Sequence, residues 1–267
     1  MKWTARLGLG LLLTLATAWL VSLFSGYDII ADVDVSRMRQ GPTGAHWLGT
    51  DDLGRDVGWR MLTATEAFVG PGLLACFLAF LAAVPAGAWA GWKGGWTAEG
   101  IRFLFTILAS LPRFVFVLLV CSIYGTGPWT LGIAAGIAYS PSLSEAVYAK
   151  VSAFRQAGFV LAGKAHGLST PRILGRHILW VNCRGLIARH LLQLFAFFLL
   201  VETTLSCLGD FGIQEPAASW GNMIEIGSFG ESDSNPWATW APVIAIWLSM
   251  LGCVLAADAW EEEKNVG

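Results

Sequence analysis

Six apolar stretches, at about 7–25, 67–91, 101–124, 130–150, 187–208 and 237–258, constrain this chain more than any other feature. A helix rises about 1.5 Å per residue and the hydrocarbon core of a bilayer is about 30 Å thick, so about 20 apolar residues make one crossing. Composition agrees. The 267 residues are 55% hydrophobic and only 13% charged, where a soluble domain carries about a quarter. Lipid offers no partner to backbone N–H and C=O groups, which restricts crossings to helices or closed barrels, and the alternating short strands of a barrel are absent from the pattern. The expectation is an all-α, polytopic membrane protein with six transmembrane helices. Its fourteen Trp suit the aromatic belts at the two interfaces.

Charge sets the orientation. Between Glu145 and Arg189 lie seven Lys and Arg, among them Lys150, Arg155, Lys164, Arg172 and Arg176, and no acid after Glu145. Short loops rich in Lys and Arg remain cytoplasmic, so this loop is expected inside, with both termini. The segments 26–66 and 209–236 fall outside and hold most acids, including Asp28, Asp32, Asp34, Asp51, Asp210, Glu215, Glu231 and Asp233. The acidic tail Glu261-Glu262-Glu263 dissents from this pattern, but acids weigh little in the rule. Lys2 and Arg6 before an apolar run ending near Ala16-Thr17-Ala18 also suit a cleaved leader; the run continues to Phe24, which favours a first span. The organisation expected is a first helix and outer segment (1–66), a five-helix core (67–258) with the loop of about 145–189, and a tail (259–267).

Within the spans, Pro71, Pro85, Gly87, Gly91, Pro112, Gly132, Gly136 and Pro141 are either kink and close-packing sites or ordinary membrane-helix residues. Arg113, Glu145 and Glu202 are costlier, because a charge at the bilayer centre costs about 2.5–3.5 kcal/mol on insertion scales. Arg113 and Glu202 therefore face a pathway, or else snorkel or pair between helices. The five Cys are scattered with no metal spacing and read as buried thiols. Gly158-Phe-Val-Leu-Ala-Gly163-Lys164-Ala165 nearly matches a phosphate-cradling loop, but Ala165 lacks the hydroxyl for magnesium and no strand precedes Gly158. His166, His177 and His190 share no clean helix face, and no hydrolase triad is present.

One set of motifs spans almost the whole chain. His46-Trp47-Leu48-Gly49-Thr50-Asp51-Asp52-Leu53-Gly54-Arg55-Asp56-Val57 resembles the H-x-LGTDxLGRD motif of ABC-importer permeases of the dipeptide, oligopeptide and nickel class. Gly94-Gly95-Trp96 matches a GGW of that family. Glu202-Thr-Thr-Leu-Ser206-Cys-Leu-Gly209, Gln214 and Ser219-Trp220-Gly221-Asn222-Met223-Ile224 resemble its E-x-x-LSFLGLG, Q-P-P and SWGNMI. The resemblance implies the type I ABC-importer permease fold in a prokaryotic plasma membrane, the inner membrane in a Gram-negative cell. It also implies a second permease subunit, two ATPase subunits and an extracytoplasmic substrate-binding protein, with membrane lipid around them and no nucleic acid. This chain would hold no cofactor, since ATP and Mg would reside in the ATPases.

In such importers the fourth-to-fifth-span loop carries the coupling element, here Phe159 to Gly167, then Ser169-Thr170-Pro171 and Arg176-His177-Ile178-Leu179. The residues suit a helix-turn-helix: Gly167 can adopt φ > 0, Ser169 or Thr170 can cap, and Pro171 suits a first turn. Leu168, Ile173 and Leu174 would give the second helix an apolar face for a partner's groove; the alternative is a basic loop on anionic lipid. Ala162, Gly163, Lys164, Gly167, Leu168 and Ser169 are the ATPase-coupling candidates. Arg113, Glu202, Ser206 and Trp220 are the pathway or gate candidates. Outside, Gly49, Thr50, Asp51, Gly54, Arg55 and Asp56 would receive the binding protein, or hold a fixed segment on the membrane through salt bridges to the second permease, the structural role being preferred.

The departures are Leu161 and Gly163 where the family has Glu and Ala, Trp180 for Pro, Glu66 for Arg, and the extra Asp210. The expected function is an importing permease subunit for peptides or a similar small solute, driven by ATP through alternating access and not itself an enzyme. A non-transporting scaffold or signalling subunit of the same fold is the alternative.

Overall fold

The computed structural model describes residues 3–209, 211–229 and 235–262. Asp210, Glu231, Asp233 and the end of the acidic tail lie outside the described residues, as do the side chains of Glu261 and Glu262. Among the described residues the regular structure is helical, with one isolated bridge between Thr50 and Asp56. Helix α1 covers Trp3–Ser25, α2 Val57–Thr63, α3 Val69–Lys93, α4 Gly95–Ala109, α5 Arg113–Tyr124 and α6 Pro128–Phe154. After α7 (Gly158–Ala165), the turn α8 (Thr170–Arg172) runs through a π-helical segment, Ile173–Cys183, into α9 (Arg184–Cys207). Helices α10 (Trp220–Phe229) and α11 (Trp237–Glu262) close the chain.

Four helical stretches combine the length and apolarity of a crossing: Trp3–Ser25, Val57–Lys93, Thr170–Cys207 and Trp237–Trp260. The expected third span is not one helix. It breaks at Ser110-Leu111-Pro112, and α4 and α5 meet at 74°, giving a fifth crossing when the pair is taken as one. Pro112 explains the break, since a proline ring excludes the helical bond to its own nitrogen and pushes the preceding residue out of α geometry. Helix α6, the expected fourth span, has 27 residues but carries Ser140, Pro141, Ser142, Ser144 and Glu145 in its centre. Length is met there; apolarity is not. The count of six apolar crossings is thus not reproduced as such.

Ser144 and the small residues along α6 serve packing against α3. On α3, Gly87 abuts the Ser144 carbonyl, and a Cβ on Gly91 would lie 2.8 Å from the Tyr148 carbonyl oxygen. On α6, Gly132 abuts the Pro71 carbonyl, and a Cβ on Gly136 would lie 2.7 Å from that of Ala75. Both helices thus present a Gly-xxx-Gly face, which lets backbones approach where lipid gives no hydrophobic drive to associate. Pro85 and Pro141 are accommodated inside these helices. Gly8 and Gly252 perform the same service between α1 and α11.

Two buried clusters result. The larger is built from Phe68, Leu131, Leu194, Phe198, Leu205 and Trp220, where α3, α6, α9 and α10 converge. The smaller joins Val84, Leu143, Val147 and Val151 to Val160, Ile173, Ile178 and Cys183, seating the basic loop on the ends of α3 and α6.

Candidate functional site

The loop turn forms where Gly167 takes φ +75°. The Leu168 N–H donates to the Gly163 carbonyl at 3.0 Å and the Gly167 N–H to that of Lys164 at 3.0 Å, which satisfies the open carbonyls at the end of α7. Ser169 is extended (φ −68°, ψ 147°) and begins the next turn through its carbonyl, which accepts from the Ile173 N–H at 3.1 Å; its hydroxyl makes no cap. Ala162, Lys164, Gly167 and Ser169 are exposed at this tip, while Gly163 and Leu168 are half-buried. The Lys164 ammonium lies 4.7 Å from the Trp92 ring centroid, fastening α7 to the end of α3.

The expected outward apolar face of Leu168, Ile173 and Leu174 is corrected by this geometry. Ile173 is buried, and Leu168 and Leu174 pack on the smaller cluster. Their apolar surface is satisfied within the chain. The exposed apolar side chains on α7 are Phe159 and Leu161. The near-match to a phosphate loop, Gly158–Ala165, is itself α7 and so offers no loop to cradle a phosphate.

The outer motif is organised around two arginines that are each 1% exposed, Arg55 and Arg60. The Asp51 carboxylate accepts from Arg55 Nε at 2.8 Å and from Arg60 Nη1. Glu215, about 160 residues further on, accepts from Arg55 Nη1 and Arg60 Nη2, each at 2.6 Å. Burial pushes the Asp51 and Glu215 carboxyls up, but the arginines outweigh it and hold both below the usual carboxylate range. Asp52 stands raised, through burial and then the neighbouring Asp51.

Around this network the backbone is fixed. Gly49 and Gly54 take φ +74° and +76°, and a Cβ on Gly54 would strike the Asp34 carbonyl. The Thr50 hydroxyl donates to the Arg37 carbonyl and accepts from the Gln40 N–H. Asp56 caps α2 by accepting from the Trp59 N–H at 2.9 Å, and its other oxygen meets His46 Nδ1 at 2.6 Å. Asn235, before α11, donates to the Leu48 and Thr50 carbonyls. The salt bridges of this motif are therefore made inside the chain. A cavity of about 420 Å³ opens beside it, lined in part by Arg39, Asp52, Gln214, Glu215 and Asn222.

Of the four pathway candidates, Glu202 and Ser206 come together at the end of α9. Both are 0% exposed. The Ser206 hydroxyl donates to Glu202 at 2.9 Å and accepts from the Ile213 N–H. Trp220 is buried nearby, its indole N–H donating to the Met61 carbonyl at 3.1 Å and its ring lying 4.6 Å from that of Phe68. Arg113 is separate. It starts α5 and lines a cavity of about 330 Å³ between α4, α5 and α6.

Residues 83–262 match the family described as the binding-protein-dependent transport system inner membrane component. The chain belongs to that family. The permease is 31% identical over 228 residues to the dipeptide transport system permease protein DppC of Alkalihalophilus pseudofirmus, covering 85% of this chain and 74% of the relative. It is 28% identical over 255 residues to the glutathione transport system permease protein GsiD of Pectobacterium atrosepticum (94% and 82%). To the oligopeptide transport system permease protein OppC of Bacillus subtilis it is 29% identical over 248 residues (93% and 80%). It is thus a multi-pass inner membrane permease component of an ABC transport system.

Of the departures, Glu66 has a local explanation and Gly163 has none. The Glu66 carboxylate accepts from the Ser22 hydroxyl and ties α1 to the turn before α3. At Gly163 a Cβ would meet Leu168 Cδ1 at 3.4 Å and Ile173 Cδ1 at 3.6 Å, ordinary contact distances, so nothing in the fold demands glycine there. The sequence motifs missed Arg60, which lies just past the outer motif, and gave no role to Glu215. An arginine one helical turn beyond Asp56 was the available signal for the first; the second, reaching back from the far side of α9, left none.

Proposed function

We propose that the permease imports short peptides or solutes of similar size, with ATP hydrolysed on two partner ATPases and movement transmitted through the turn at Gly167. The observation that carries the reading is the exposed tip Ala162–Ser169, closed on its own hydrogen bonds and braced on α3 and α6 by an internal apolar face. A tip held that way moves as a body with the helices behind it. Force on the tip would therefore reach the α3–α6 pair, whose glycine-lined contact lets the helices shift as a unit. A second permease subunit would complete the pathway, and an extracytoplasmic binding protein would deliver cargo to the outer face, with both termini of this chain inside.

Peptide as cargo is suggested by the names of the relatives; alternating access is suggested by a tip braced on the α3–α6 pair. The alternative is a scaffold that keeps the fold without transporting, favoured by Leu161, exposed where the family has Glu. Gentle isolation of the complex, with mass spectrometry of its subunits and bound ligand, tests the reading. Copurifying ATPases whose hydrolysis is unaffected by Gly167→Pro or by deletion of Leu168–Pro171 would favour the scaffold. Absence of any ATPase would sink the main reading.

A further inference from the structure

The groove at the break between α4 and α5 carries more polarity than lipid contact tolerates. Its cavity of about 330 Å³ is lined by Arg102, Thr106, Arg113, Ser142 and Glu145 beside apolar Phe105 and Ala109. Arg102 is already occupied: its Nε and Nη2 reach the two Glu145 oxygens, each at 3.1 Å, with Glu99 at 3.9 Å from Nη1. Arg113 is not. Its guanidinium lies 4.5 Å from the Tyr139 ring centroid, and no carboxylate among the described residues lies within 4 Å of it. Arg102 is shared between Glu145 and the more exposed Glu99, so among the described residues Arg113 is the cation of this lining with no carboxylate partner.

The backbone makes the same demand. Ser110, Leu111 and Pro112 are exposed and non-helical, and α5 begins at Arg113 with no side-chain cap on its first N–H groups. Open backbone inside a bilayer is tolerated where it lines water or is buried in protein. A charged guanidinium facing acyl chains would cost about 2.5–3.5 kcal/mol on insertion scales. The polar lining and the open volume favour water over a packed neighbour.

We infer that this groove is a water-filled site for an anionic group of the transported solute, a carboxylate in the case of a peptide, with Arg113 as its binding cation. The inference rests on the transport reading and names the chemistry that the pathway recognises. Arg102 and Glu145 hold one rim of the groove, and Tyr139 positions the Arg113 guanidinium from beneath.

The test is thiol accessibility in the assembled complex in its native membrane. Ala109→Cys places a thiol on the exposed lining, and the parent chain supplies the background of its own cysteines. Two membrane-impermeant methanethiosulfonates of similar size are compared, one ending in a sulfonate and one in a trimethylammonium. The expected result is reaction with both, with the sulfonate-to-ammonium rate ratio falling at least about fivefold in the Arg113→Gln background, the effect of one unpaired charge a few ångströms away in a watery site. Arg113→Lys is expected to retain most of the ratio. No reaction above background would overturn the inference in favour of a groove covered by lipid or by a second chain. A ratio unchanged by Arg113→Gln would overturn it equally. Neither result depends on finding an ATPase, so failure here and failure of the transport reading are separately visible.

Discussion

Gly54 in the outer motif and Gly167 after α7 adopt almost the same left-handed backbone, at φ +76° and +75°, in opposite surroundings. A Cβ on Gly54 would run into the Asp34 carbonyl, whereas one on Gly167 would meet nothing within 4 Å. The outer motif spends its charges internally, with Asp51, Arg55, Arg60 and Glu215 closed on one another. The inner turn leaves its tip open. Both segments are irregular and polar, and each follows or precedes a long apolar helix. What separates them is where the charges go: the outer segment is a joint that pairs its two arginines with Asp51 and Glu215 inside the chain, and the inner one has surface to offer a partner.

The largest effect that can break this contrast is loss of a buried arginine. Arg60→Ala leaves Asp51 and Glu215 short of a cation, and breaking a buried pair from one side costs about 3–5 kcal/mol. A thermal melt of the purified protein should show severe destabilisation, and a near-silent variant would refute the joint. Next is Gly54→Ala, for which left-handed backbone alone costs about 1–2 kcal/mol before the collision with Asp34. Gly167→Ala carries the same backbone cost alone, about 1–2 kcal/mol in the same melt, so Gly54→Ala must be the worse of the two. Equal losses would mean that the surroundings do not matter.

Acid should act on the outer region selectively. Asp51 and Glu215 lie below their ordinary values in the folded protein, so their contribution is complete above the unfolded-state carboxylate pKa. It is lost as pH falls through the folded values. The protection factors of amides in segment 49–60, relative to their intrinsic exchange at each pH, should therefore fall at acid pH while those of 158–168 change little. The smallest effect is Gly163→Ala, which replaces glycine inside α7 at ordinary contact distance and should stabilise by up to about 1 kcal/mol.

Long apolar runs made α1, α9 and α11 legible within a few residues, because hydrophobic length is a local property. Gly167 was legible too, since the residues around it encode a helix end. The 74° break was visible only as Pro112, without its angle, and α6 read as a span although its serines and glycines serve contact with α3. The inward turn of Ile173 was hidden because an apolar face on a short helix looks the same whether it meets its own chain or another. The Arg60–Glu215 contact was hidden for a different reason: it joins residues 155 positions apart, and nothing local to either announces the other.

In the proposed transporter the inner turn, unlike the outer joint, would meet a partner ATPase. Ser169→Cys in the otherwise native complex, treated with a short thiol-to-amine cross-linker in the membrane, tests it most directly. The expected product joins this chain to a subunit that mass spectrometry identifies as an ATPase, and Gly167→Pro diminishes it. A Ser169→Cys chain that reacts fully with the reagent yet joins no ATPase would contradict it.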